Sequence, residues 1–116
     1  MSFLYVALGG ALGSMGRHAV SLAAAAVLGA AYPWGTLAVN VLGSAAIGAL
    51  AGQGLAGPAR MFWITGVLGG FTTFSAFSLE AGLLWERDPR LAALYVAASL
   101  GLSLAAFAAA WSLARP

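Results

Sequence analysis

Chemistry in this chain concentrates between Gly66 and Glu80. There Gly66-Val67-Leu68-Gly69-Gly70-Phe71-Thr72-Thr73-Phe74-Ser75-Ala76-Phe77-Ser78-Leu79-Glu80 places glycines, hydroxyls and one carboxylate inside an apolar run. In hydrocarbon every backbone N–H and C=O needs a partner, so a helix interrupted by glycine is tolerated only where it is buried in protein or lines a polar cavity. The run therefore predicts a helix broken over Gly69–Thr73. A break releases carbonyls of the first half-helix to hold a cation and turns the opening N–H groups of the second half toward an anion. Close packing through Gly66 and Gly70, at GxxxG spacing, explains the glycines but not Thr72, Thr73, Ser75, Ser78 and Glu80 beside them. Phe74 and Phe77 are three apart and share one side of the second half. Packing against lipid or core is the ordinary use of such a pair. After a break, their electropositive ring edges could also meet an anion.

Four other polar features stand in apolar surroundings. Arg17 and His18 follow Gly9, Gly10, Gly13 and Gly16. An arginine at the centre of a membrane helix costs about 2.5 to 3.5 kcal/mol, so Arg17 should face a partner or a wet vestibule; snorkelling to an interface is the competing reading. Thr36, Asn40 and Ser44 lie at successive i, i+4 positions, and Asn40 serves either as glue between helices or as a ligand for a passing ion. Tyr95, Ser99 and Ser103 repeat that spacing as a track of rotatable hydroxyls, unless each serine bonds its own i−4 carbonyl. Glu80 is an intramembrane carboxylate, a functional candidate for which pairing with Arg17 is the structural rival. Ser14 and His18, four apart, do not make a nucleophile and base: there is no GxSxG elbow, second histidine or orienting group. No enzyme is expected.

The elements that position these groups must be membrane helices. The 116 residues are 62% hydrophobic and 7% charged, with a mean hydropathy of +0.95, a balance that no soluble core requires. A span takes about 20 apolar residues, so residues 1–116 are expected to form a single all-α membrane domain of four spans, at about 3–28, 34–50, 61–85 and 91–111. No arginine precedes Arg17, so the first apolar stretch lacks a signal peptide's positive n-region and is expected to be a retained span. The turn at Ala30-Ala31-Tyr32-Pro33, the Gly/Pro-rich Gln53–Arg60 and the charged Glu86-Arg87-Asp88-Pro89-Arg90 form the connections, the last reading as no more than a solvated loop. Cysteine is absent, and a single histidine excludes a histidine metal centre within one subunit. A net charge of +2 without a basic run excludes nucleic acid as a partner.

Four spans put Arg60 and Arg115 on one side and Arg87 and Arg90 on the other. Two against two gives no positive-inside bias. Such a chain could insert in both directions, and if both orientations occur an antiparallel two-fold dimer like the inverted repeats of larger transporters follows.

These segments, GGALGSMGR, GTLAVNVLGS, GVLGGFTTFSAFSLE and the Tyr95, Ser99, Ser103 stripe, resemble the CrcB/Fluc family of small fluoride channels over essentially the whole chain. The resemblance implies a dual-topology antiparallel homodimer in a bacterial inner membrane, with two passive fluoride pathways and a structural sodium ion at the dimer centre. Phe74 and Phe77 correspond to paired aromatic residues along the pathway, and Asn40 to a donor beside them. Thr73 and Ser75 supply hydroxyls, Tyr95, Ser99 and Ser103 the polar track, Arg17 the vestibule arginine and Glu80 the carboxylate. The carbonyls of Gly69 and Thr72 correspond to the sodium ligands. Fluoride holds water tightly and needs several donors at close range, which these residue types supply. The alternatives are a small proton-coupled multidrug-type cation exporter, which would want a carboxylate in span one where Arg17 stands, and a non-transporting assembly protein whose polar stripes are glue.

Overall fold

The computed structural model describes Met1–Pro116, and the chain is helical throughout. Helix α1 spans Ser2–Leu28 and α2 Trp34–Gly52. The third crossing is composite. It comprises α3 (Gly57–Arg60), π-helical turns over Met61–Leu68, α4 (Gly69–Phe71) and, after an interruption, α5 (Ser75–Arg87). Helix α6 spans Pro89–Ala114. Four stretches, Ser2–Leu28, Trp34–Gly52, Gly57–Arg87 and Pro89–Ala114, are long and apolar enough to cross a membrane. The protein is a multi-pass integral membrane protein.

The ends of these helices follow from local chemistry. Gly29 takes a φ of 83° and returns its N–H to the Ala25 carbonyl, closing α1 before Pro33. The connection expected as a charged loop over Glu86–Arg90 is much shorter, because α5 runs through Arg87 and α6 starts at Pro89. Asp88 makes this reversal possible: its Oδ1 accepts from the N–H groups of Arg90 and Leu91, and Pro89 needs no hydrogen bond at the first helical position. Likewise, Gly57–Arg60, expected to lie within a connection, already forms the first turn of the third crossing, with proline near its start.

Two packing modes hold the subunit together. Helix α1 lies on the first half of the third crossing, backbone against backbone: a Cβ on Gly9 would meet the Phe62 carbonyl, and one on Gly13 the Val67 carbonyl. Elsewhere side chains fill the space. Phe77 and Leu84 of α5 pack with Ala92 and Tyr95 of α6, flanked by Tyr32, Leu37 and Leu91. Helices α2 and α6 form the most extensive pair, closely apposed where Gly48 meets the Phe107 backbone. Only 15 of 116 residues are buried in the single subunit, so most of its surface is left for lipid or a further subunit.

The interruption falls at Thr72–Phe74, the C-terminal edge of the predicted interval. Gly69 and Gly70 remain helical. Gly70 is used for approach, since a Cβ there would stand 2.6 Å from the Gly10 carbonyl. The chain departs from the helix at Thr72, with φ −87° and ψ 158°.

Candidate functional site

Asn40 of α2 brackets the break. Its Nδ2 donates to the Thr73 carbonyl at 3.0 Å, and its Oδ1 accepts from the Thr73 N–H at 2.8 Å. One side-chain amide thus replaces the two helical partners that Thr73 lacks, and the pairing of donor with acceptor fixes the amide's orientation. Glue and ligand, open alternatives from sequence, are compatible here, because the second Nδ2–H of Asn40 is left over from this bracket. Thr73 also caps the second half: its Oγ1 accepts from the Ala76 N–H at 3.2 Å and lies 3.3 Å from Ser75 Oγ. Thr72 and Ser78 are spent on their own helices, donating to the carbonyls of Leu68 and Phe74. The carbonyls of Gly69 and Thr72 receive no hydrogen bond, because the Thr73 N–H that would reach Gly69 goes to Asn40 and the Ala76 N–H that would reach Thr72 goes to Thr73 Oγ1.

Beside the break is a cavity of about 230 Å³, lined by Asn40, Ser44, Thr72, Thr73, Phe74, Phe77, Ser99, Leu100 and Ser103. Ser99 and Ser103, one turn apart on α6, have buried hydroxyl oxygens without any hydrogen-bond partner. The i−4 bond considered for them is absent. A buried hydroxyl left unpaired costs about 1 to 3 kcal/mol, and an orphan of this kind in a native protein calls for a ligand or water. Phe74 and Phe77 stand on the same cavity with ring centroids 5.4 Å apart; Phe77 is 7% exposed and Phe74 72%.

Phe77 also stacks against Tyr95, at 5.2 Å between centroids, and the polar line continues past this pair. Tyr95 is buried and donates its hydroxyl to Glu80 Oε2 at 3.2 Å. Glu80 in turn lines a second cavity, of about 250 Å³, shared with Ser21, Tyr32, Trp34, Thr36 and Arg87. Tyr32, in the connection, stays neutral, since burial pushes its hydroxyl above its ordinary value. Arg87 reaches across to donate to the Ala31 carbonyl at 2.9 Å.

Arg17 lies apart from both cavities. Its Nε donates to the Gly70 carbonyl at 3.1 Å, on the first half of the broken crossing, and it does not pair with Glu80. Ser44 and Thr36 join the cavities although only Asn40 of their stripe was expected to act; their i, i+4 spacing from Asn40 was the available signal. Arg87, read from sequence as a solvated loop charge, was signalled by its place seven residues after Glu80, two helical turns along the same face. No group of three or more His, Cys, Asp or Glu side chains could hold a metal.

Four apolar crossings, one broken at mid-length against unpaired hydroxyls, define a small helical membrane protein with polar cavities inside it. Residues 4–111 match the family described as CrcB-like protein, Camphor Resistance (CrcB). The chain belongs to this family. It is 46% identical over 121 residues to the Fluoride-specific ion channel FluC of Rhodopseudomonas palustris (strain BisB5), covering 99% of this chain and 98% of that one. It is 52% identical over 115 residues to the protein of the same name from Chelativorans sp. (strain BNC1), covering 93% and 92%.

Proposed function

We propose that this protein is a passive, fluoride-selective channel, built as an antiparallel homodimer with one pathway along each subunit's polar line. The observation that carries this reading is the pair of sealed, unpartnered hydroxyls on Ser99 and Ser103, facing a cavity with Asn40 and the two phenylalanines. A small anion exchanges part of its hydration for these donors and for the positive ring edges of Phe74 and Phe77, then passes toward Tyr95 and Glu80. The names of the relatives support fluoride as the ion carried.

The dimer is supported by what one subunit leaves open: the break, with Phe74 and Ser75 exposed beside it, cannot face hydrocarbon and needs a second protein surface. A structural sodium ion fits the free carbonyls of Gly69 and Thr72, hard oxygen ligands without competing hydrogen bonds. When bound, it would supply a fixed positive charge between neighbouring anions.

Efflux from liposomes carrying the purified protein, followed by a fluoride electrode beside a chloride control, tests the proposal. Rapid fluoride release without chloride release is expected. Silence from a well-folded protein would overturn it and redirect attention to proton-coupled cation export through Glu80.

A further inference from the structure

The second cavity has a charge arrangement that the fluoride reading alone does not explain. Its wall carries a carboxylate, Glu80, so an anion moving through it meets a negative charge. One cation lines the same cavity, Arg87, placed seven residues and thus about 10 Å along the α5 axis from Glu80. The side chain is exposed but tethered. Its Nη1 is tied at 2.9 Å to the Ala31 carbonyl in the connection between α1 and α2, which holds the guanidinium over the cavity and leaves other N–H donors uncommitted. The neighbouring carboxylates do not cancel it at the mouth: neither Glu86 nor Asp88 lines the cavity, and Asp88 is engaged in capping α6.

We propose that Arg87 is the anion-gathering residue at the water-facing mouth of the pathway, held in place by Ala31 and offsetting the field of Glu80 below it. The inference rests on the fluoride-channel reading above and adds a residue and a site to it. Within a low-dielectric wall a fixed cation raises the local anion concentration and so the rate of capture. Its tether makes Arg87 a positioning link as well, joining the α1–α2 connection to the end of α5.

The test is initial fluoride efflux at low fluoride, in an impermeant-anion buffer of low and then high ionic strength. The Debye length shrinks from about 30 Å at 0.01 M to about 3 Å at 1 M, so a gathering charge is strong in the first condition and silent in the second. Arg87→Gln should slow efflux about 3- to 10-fold at low ionic strength and approach the unmodified protein at high ionic strength. Arg87→Lys, which keeps the charge with a different geometry, should restore at least half of the lost rate. An equal loss for both variants at every ionic strength would reduce Arg87 to a structural tether and overturn the proposal, as would an unchanged rate for Arg87→Gln at low salt. Should Arg87→Gln fail to fold, the unmodified protein decides alone: its efflux must fall as salt rises, and a flat response overturns the inference. A protein that passes no fluoride under any condition fails the channel reading instead.

Discussion

The two halves of the broken crossing are fixed by opposite means. The first half, through the π-helical turns and α4, touches α1 at backbone level, where Gly9, Gly13, Gly66 and Gly70 allow main chains to meet. The second half, α5, is held by side chains: Phe77 and Leu84 sit against Ala92 and Tyr95, while Gly82 has nothing within 4 Å of a would-be Cβ. The contrast suits a site that needs one immovable wall of carbonyls and one wall of rings and hydroxyls that a passing ion can engage. Close backbone approach provides rigidity in a membrane, where helices gain little from leaving lipid and association depends on packing.

The sharpest way to break this comparison is Gly13→Val. A Cβ at this position runs into the Val67 carbonyl, which belongs to a backbone that cannot step aside. No monodisperse protein should be recovered by size-exclusion chromatography, and a stable, active variant would mean that the first half is movable after all. Next in size is Asn40→Ala, which strands both Thr73 N–H and Thr73 C=O. At about 1 to 3 kcal/mol for each unpaired buried group, thermal stability should drop clearly and fluoride flux should fall about 10-fold or more. Phe77→Ile removes a ring from the second half but leaves an apolar volume there. Flux should decline with the protein still folded, and an unchanged electrode trace would remove the aromatic wall from the pathway. The smallest effect is expected from Gly82→Ala and Gly101→Ala, which enter open space. Their melting temperatures should change by no more than about 0.5 kcal/mol of stability implies; a large loss would show that α5 and α6 also depend on glycine contacts.

Much of the architecture was legible because hydrocarbon leaves few options. Apolar runs of sufficient length announced the four helices, and the cluster of glycine and threonine announced a break. The position of the break was less legible: Gly69 and Gly70 looked like helix breakers but stay helical, Gly70 serving contact with α1, while the departure comes at Thr72, where Asn40, distant in sequence, supplies the replacement partners. The stripe of Tyr95, Ser99 and Ser103 could be read from spacing, whereas its division of labour could not. Tyr95 is committed to Glu80 and the two serines are left unpaired, a distinction that depends on which helix each residue faces. Arg17 and Glu80 offered themselves as an ion pair by charge alone. The fold gives each a different partner, the Gly70 carbonyl for one and the Tyr95 hydroxyl for the other.

The central placement of the break has an electrical consequence. Thr72–Phe74 divides the 31-residue crossing Gly57–Arg87 into two nearly equal halves. An anion lodged beside Thr73 has therefore traversed about half of any transmembrane potential, which acts on one full charge crossing with about 2.3 kcal/mol per 100 mV. Movement into that position and movement out of it then share the voltage dependence about evenly, so a potential of either sign should bias the two steps to a similar degree.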